Sequence, residues 1–322
     1  MSNHARIMST LMGEHAVIAS LIGTHRIHYV DVPVHRNIGD LLIMLGTLRF
    51  FERQGISIGH KAAYFGYRSR WAHSDDVIVF NGGGNLGDLY EGPQQAREAV
   101  IHDLPRNRII ILPQTIHFRS QRAYDACCQI FSQHPDLHIC VRDHASHGLA
   151  LPMSRHVYLL PDMAHQLWPI RPSRTQADGH LALLRSDLES AGSVATNGGV
   201  HADWRELVGR RNTLIRLARG ILGASHAVGL APGLQSRELD LWIRYAARLV
   251  DDILDFFGKF GTITTDRLHA HLLACLMGIP GTVLDNSYGK NHSYVAAWTG
   301  ASDIVRVEAE GTAGSLGMLP HA

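Results

Sequence analysis

The sequence predicts an α/β protein, with parallel strands covered by helices on both faces. Three observations carry this. The runs Val77–Phe80 and Ile109–Leu112 are short, continuous and apolar, as strands buried on both faces are. Between such runs lie stretches of helical spacing, for example Leu41, Leu42, Leu45, Leu48 and Phe51. The segment Gly261–Leu284 then fits strand, helix and strand together without a spare residue.

The elements follow in order. Met1–Ile27 is an N-terminal extension with a helix around Ile7–Ile22. Its His4, Glu14, His15 and His25 interrupt the apolar residues, and it lacks the basic lead and continuous core of a signal peptide. Ile27–Asp31 is the first strand, and Asp40 opens a helix through Leu41–Gln54. Lys61–Phe65 is a weak strand and Val77–Phe80 a strong one, followed by a glycine-rich loop, Asn81–Gly87, and a helix at Pro93–His102. Ile109–Leu112, Leu137–Val141 and Val157–Leu160 are strands, separated by helices at Ala123–Ser132 and Asp143–Leu149. Pro169, Pro172 and a polar run make Trp168–Asp178 a linker. Beyond it come a strand at Leu181–Leu184, a loop at Gly192–Gly199 and helices at Trp204–Leu222 and Arg237–Phe257. Ser236 caps the second of these. The compact Gly261–Leu284 unit and a short helix at Tyr294–Thr299 close the pattern. The predicted organisation is an extension (1–27), an α/β domain (28–170), a second (171–300) and a loose tail (301–322).

The composition narrows the function. The 322 residues suffice for one large or two medium domains, and 45% hydrophobic with 18% charged residues is ordinary for a globular protein. A net charge of +1 gives a nucleic-acid partner no electrostatic support. No apolar run has the length of a membrane span, so a cytoplasmic protein is expected, with a peripheral membrane contact left open. Cys127, Cys128, Cys140 and Cys275 form no C-x-x-C pair and read as reduced, mostly buried thiols. The 22 histidines are scattered and match no metal-binding spacing, so no metal site is expected.

Parallel sheets bind ligands beyond the carboxyl ends of their strands, and polar turns recur there. They are Asn37-Ile-Gly-Asp40, Asn81-Gly-Gly-Gly-Asn-Leu-Gly-Asp88, Gln114-Thr-Ile-His117, Arg142-Asp143, Arg185-Ser-Asp187 and Asp266-Arg-Leu-His269. The first is equally a turn with a helix cap. Three glycines after a buried strand make a tight turn or let backbone approach a ligand closely. No Gly-Lys-Ser/Thr follows, so this is not a Walker loop. Arg142 could serve only to pair with Asp143, whereas Arg185 is harder to explain structurally. Arg267 and His269 fall where a helix begins, and free N–H groups and the helix dipole already favour an anion there. A guanidinium and a titratable imidazole at that point suit an anionic substrate that needs a proton transferred.

Together the motifs resemble the polysaccharide pyruvyl transferase family. The matching pieces are Asn37–Asp40, Val77–Asp88, Ile111–Ile116, Val141–Asp143, Pro161-Asp-Met163 and Thr265-Asp-Arg-Leu-His269, in family order over about Val30–Thr299. Among its members the chain looks closest to bacterial exopolysaccharide pyruvyltransferases. The resemblance implies a GT-B-like fold of two Rossmann-like domains facing a cleft. It also implies transfer of pyruvate from phosphoenolpyruvate to a sugar, forming a cyclic ketal and releasing phosphate. Phosphoenolpyruvate is then a co-substrate and no cofactor is implied. The other partner is a glycan acceptor on a lipid carrier at the inner membrane face.

By the same resemblance Arg267 and His269 map onto the donor site, Arg185 onto a second donor-binding arginine and Asp88 onto an acidic residue near the acceptor. Lys290, in a segment whose wording differs from that of the relatives, is taken as a donor-phosphate ligand, and the chemistry makes His269 and Asp88 the catalytic candidates. His269 is expected to protonate the enol carbon or assist phosphate departure, and Asp88 to act as base toward a hydroxyl. Asn37, Asp40, Gly83, Gly84, Asn85 and Gln114 belong to the acceptor side or its loop. Two arginines and a helix N-terminus suit a substrate carrying a carboxylate and a phosphate. The competing expectations are a sugar-nucleotide glycosyltransferase on the same fold and a non-catalytic carbohydrate-binding relative. The acceptor sugar and the oligomeric state are not legible in the sequence.

Overall fold

The computed structural model describes residues 1–171, 178–184, 200–202, 204, 212–227, 232–285 and 290–308. It contains two parallel sheets. The first is built from β1 (Ile27–Val30), β2 (Ile58–Lys61), β3 (Val77–Phe80), β4 (Gly83–Gly87), β5 (Ile109–His117), β6 (Leu137–Val141) and β7 (His156–Leu159). Its order is β2-β1-β3-β5-β6-β7, with β4 paired to the far end of β5. The second comprises β8 (His180–Leu183), β9 (Val200–Ala202), β10 (Thr262–Thr265), β11 (Gly281–Val283) and β12 (Val305–Val307), in the order β12-β11-β10-β8-β9. In each sheet the first strand lies between the second and the third, and the crossovers leave it in opposite directions. Such a switch point opens a crevice beyond the carboxyl ends of the strands.

The apolar runs do what their composition dictates. β3 and β6 are buried along their whole length. One cluster of buried side chains joins Tyr29, Val79 and Ile110 of the first sheet to Leu181, Leu183 and Ile263 of the second. Ile78, Phe80, Ile111 and Phe131 fill the opposite face of the first sheet.

Several elements differ from the sequence expectation, each for a physical reason. The glycine-rich segment is not a loop. Residues Gly83–Gly87 are extended and pair in parallel with Gln114–His117, so β5 runs five residues past Leu112. A Cβ on Gly82 would lie 2.8 Å from the Pro113 carbonyl oxygen. One on Gly87, at φ +127°, would lie 1.8 Å from that of His117. At these two positions glycine admits the neighbouring strand.

The second strand lies at Ile58–Lys61 rather than Lys61–Phe65, because its register is set by pairing with β1. The helix Ile38–Arg53 is capped by Asn37, whose Oδ1 accepts from the Gly39 N–H at 3.1 Å, and Asp40 falls inside its first turn. The long helix starts at Pro232, not after Ser236. The Ser236 hydroxyl lies 2.9 Å from His60 Nδ1 and accepts from the Lys61 N–H at 3.1 Å. This helix also donates from Trp242 Nε1 to the Pro33 carbonyl at 2.8 Å, and its Asp240 pairs with Lys61 at 2.6 Å. It thereby ties the second half of the chain to the first sheet. Part of the expected tail, Val305–Val307, is an edge strand of the second sheet. The expected loop at Gly192–Gly199 and the stretch 311–322 lie outside the described residues.

The N-terminal extension forms two helices, Asn3–Glu14 and Ala16–Ile22, packed through Met8, Leu11, Ile18 and Ile22. His4 Nε2 bonds the Cys275 carbonyl at 2.8 Å, and His15 Nε2 bonds that of Pro161, also at 2.8 Å. The extension therefore contacts both halves of the chain.

Candidate active site

A cavity of about 500 Å³ lies at the carboxyl ends of strands from both sheets. From the second sheet, β10 runs into the helix Leu268–Met277 through Asp266-Arg267. Arg267 occupies the cap position with extended backbone, and no side chain caps the helix. The Thr265 hydroxyl sets the turn, accepting from the Arg267 N–H at 3.1 Å and donating to the Leu183 carbonyl at 2.6 Å. Asn291 Nδ2 secures the next stretch, donating to the Asp266 carbonyl at 2.6 Å and that of Leu284 at 3.0 Å. Arg267, His269, Asn291 and Tyr294 line the cavity.

His269 is fixed by residues from the first half of the chain. Its Nε2 lies 3.4 Å from Asp162 Oδ2, and a Cβ built on Gly39 would stand 2.3 Å from its Nδ1. The glycine of Asn37-Ile-Gly-Asp40 therefore makes room for the imidazole.

Asp162 is wholly buried. Its Oδ2 accepts from Arg142 Nη1 and its Oδ1 from the Ala164 N–H at 2.8 Å. Burial alone would raise its pKa, but His269, Arg142 and the Ala164 N–H together hold it well below the usual carboxylate range. The Tyr294 hydroxyl accepts from the Asp162 N–H at 3.0 Å and lies 2.9 Å from His165 Nε2. A charged carboxylate 3.4 Å from an imidazole nitrogen stabilises the imidazolium that forms when the ring takes a proton.

Arg142 does not spend itself on Asp143. It bonds Asp162 and the Thr115 hydroxyl, the latter at 2.9 Å. Asp143 instead caps the helix His144–Ala150 through the Ser146 N–H at 2.7 Å. Arg142, Arg267 and His269 thus bring cationic and titratable groups to one wall of the cavity.

The other predicted residues divide. Asn37, Asp40, Gly84 and Asn85 line the cavity. Gly83, at φ +139°, backs onto the Asp40 carboxylate. Gln114 is fully buried, and its Nε2 donates to the Asn81 carbonyl at 2.9 Å and to Asn85 Oδ1 at 3.1 Å, so it shapes the glycine segment from behind. Asp88 is not brought to the cavity. Its carboxylate accepts from the backbone N–H groups of Arg119 and Ser120 at 2.8–2.9 Å, fixing the chain ahead of the helix Gln121–Ser132. Arg185 and the side chain of Lys290 lie outside the described residues.

Neither Asp31 nor Asp162 has a role in the sequence reading, and Arg142 is undervalued there. Asp31 follows β1 at the switch point and lines the cavity. Arg142 directly follows the buried strand β6, and Asp162 comes shortly after β7; a polar residue beyond a strand's carboxyl end is the signal that could have marked them. Their mutual pairing spans 20 residues of sequence.

The fold and site together define an α/β protein whose cavity brings two arginines beside a histidine paired with Asp162. Residues 37–288 match the profile of the family described as polysaccharide pyruvyl transferase. The chain belongs to the polysaccharide pyruvyl transferase family. It is 34% identical over 283 residues to the Bacillus subtilis (strain 168) protein EpsO, which bears a pyruvyl transferase name; 84% of each chain is covered. It is 27% identical to pyruvyl transferase 1 of Schizosaccharomyces pombe, covering 86% of this chain and 70% of that one. A crystal structure of a functionally uncharacterized Klebsiella pneumoniae protein superposes with a TM-score of 0.58 at 21% identity, over 96% of this chain and 100% of that one. At that identity the likeness concerns the fold.

Proposed function

We propose that this enzyme transfers pyruvate from phosphoenolpyruvate to a sugar of an exopolysaccharide repeat unit, forming a cyclic ketal and releasing phosphate. The observation that carries this is His269, held against Asp162 on the same wall as Arg142 and Arg267. Two guanidinium groups and an uncapped helix start suit the carboxylate and phosphate of the donor. In this reading His269, as imidazolium, protonates the methylene carbon, and the cationic wall stabilises charge on the departing phosphate. Phosphoenolpyruvate is a co-substrate, and the chemistry needs no further cofactor or metal.

The two sheets act as a GT-B-like pair, with residues 28–170 on the acceptor side, apart from Arg142, which reaches the donor, and 171–300 on the donor side. Supporting that division, Asp31–Asp40 and Arg267–His269 meet across the cavity from different sheets. Among the described residues no helix is long and apolar enough to cross a membrane. The enzyme meets a lipid-linked acceptor at the cytoplasmic face.

The test is phosphate release from phosphoenolpyruvate with a panel of glycosides. Wild type should release phosphate in an acceptor-dependent way, and His269→Ala should slow this by about 10²–10⁴-fold. An unchanged rate in His269→Ala removes the proton-transfer role. Release of a nucleoside diphosphate from a sugar nucleotide instead of phosphate would mark a glycosyltransferase.

A further inference from the structure

We infer that Asp31 is the general base for an attacking hydroxyl of the acceptor sugar, an inference that rests on the pyruvyl-transfer reading. Asp31 follows β1 at the switch point of the first sheet, facing the cavity. Its φ of +64° makes it the one non-glycine residue with positive φ among the described residues. That conformation costs on the order of 1 kcal/mol or more, and such outliers cluster at functional sites.

The carboxylate is anchored on one side only. Oδ2 accepts from Asn85 Nδ2 at 2.7 Å and from Arg97 Nη2 at 3.2 Å, and Arg97 is itself wholly buried. Oδ1 makes no hydrogen bond among the described residues and is the oxygen left for a ligand.

The other carboxylates on the cavity wall are engaged elsewhere. Asp143 Oδ1 accepts from the Ser146 N–H, and its Oδ2 from the Ser146 and Thr115 hydroxyls. Asp40 accepts from Asn37 Nδ2 at 2.7 Å and lies 3.6 Å from His35 Nε2, so it is held within its own turn. Asp162 serves His269 and Arg142, and Asp88 is away from the cavity. Burial, with Asp40 nearby, lifts the pKa of Asp31 above the ordinary aspartate value against the pull of Arg97, Asn85 and His35. That moves a base toward working pH. Tyr64, Phe65 and Trp204 line the same cavity and offer apolar surface for a sugar ring.

The step balances with the groups present. His269 gives its proton to the methylene carbon of phosphoenolpyruvate. One sugar hydroxyl bonds to the central carbon as Asp31 takes its proton. The bond from that carbon to the phosphate oxygen then breaks, and the phosphate leaves with the proton held by Asp31. The second hydroxyl bonds to the same carbon and returns a proton to His269. Of the two hydroxyl protons, one accounts for the new methyl group and one leaves with phosphate.

Asp31→Asn and Asp31→Gly test the inference, since both residues tolerate the left-handed backbone. Acceptor-dependent phosphate release and the melting-temperature rise produced by phosphoenolpyruvate alone are measured for each. Turnover should fall by about 10²-fold or more in both variants while the phosphoenolpyruvate-induced rise is kept. Added formate should restore part of the turnover of Asp31→Gly by filling the vacated space. Wild-type turnover in Asp31→Asn overturns the inference and leaves pyruvyl transfer standing. Loss of the phosphoenolpyruvate-induced rise together with turnover also overturns it, by making Asp31 part of the scaffold. A wild-type protein that neither releases phosphate nor responds to phosphoenolpyruvate brings down the parent reading and the inference with it.

Discussion

His269 depends on neighbours distant in sequence, and Gly39 is the most exacting of them. A methyl group there would meet the imidazole at 2.3 Å, although alanine is otherwise favoured over glycine inside a helix by about 1 kcal/mol. Gly39→Ala is therefore expected to keep or slightly raise the melting temperature while lowering kcat by at least about tenfold, because the ring must swing away from Asp162. Steady-state kinetics alongside a thermal melt check this, and an unchanged kcat would show that the ring has room to spare. Asp162→Asn should be costly in a different way. It leaves the nearly buried Arg142 without its charge partner, a loss of about 3–5 kcal/mol that urea unfolding would register. At this scale Arg267 and His269 were legible because their motif is local. The partners of His269 were not, because nothing in the sequence spacing relates position 39 or 162 to position 269.

Among the elements, β4 and the helix Pro232–Phe257 do most to position the cavity. β4 exists because glycines let its backbone run against β5, and Gly87 has no room for a side chain. Gly87→Ala combines a positive φ with a 1.8 Å overlap on a backbone oxygen, so it should destabilise the protein by about 3 kcal/mol or more. A melting temperature within a degree or two of wild type would contradict that pairing. The long helix reaches the cavity through Trp242, whose indole N–H holds the carbonyl of Pro33 in the segment after β1. Trp242→Phe should cost about 1–2 kcal/mol and raise KM for the acceptor, read from urea unfolding and initial rates. Helical spacing reveals such a helix, but not which sheet it covers. Ser236 looks like a cap until the tertiary contact with His60 is known.

At the scale of the whole molecule, buried histidines stand where the two halves and the N-terminal helices meet. Burial lowers His15 to about 4, partly offset by its bond to Pro161 and by Asp162. It lowers His165 to about 3, with Asp162 opposing and His15, His271 and His4 adding to the effect. His271 falls to about 4 for the same first cause, with His4 contributing. These rings are neutral in the folded protein and take up protons near pH 6.5 once unfolded. The unfolded state thus binds more protons between about pH 6.5 and 4, and stability must fall as the pH falls through that window. The slope reaches on the order of 4 kcal/mol per pH unit if all three contribute. Urea unfolding at pH 7 and pH 5 tests this, and equal stability at both would mean that these rings are not held neutral.

The sequence alone determined the class of fold, because a buried parallel strand must be apolar along its length, as Val77–Phe80 and Leu137–Val141 are. It also located Asn37–Asp40 and Arg267–His269, because a strand end followed by a helix start is a local pattern. It did not assign Asp31 or Asp162, or make a strand of the glycine segment. Those depend on which side chains burial and strand pairing bring together across the two sheets. The left-handed turn at Asp31, the Asp162–His269 pair and the room kept by Gly39 are tertiary facts. Each arises where two elements compete for the same few ångströms.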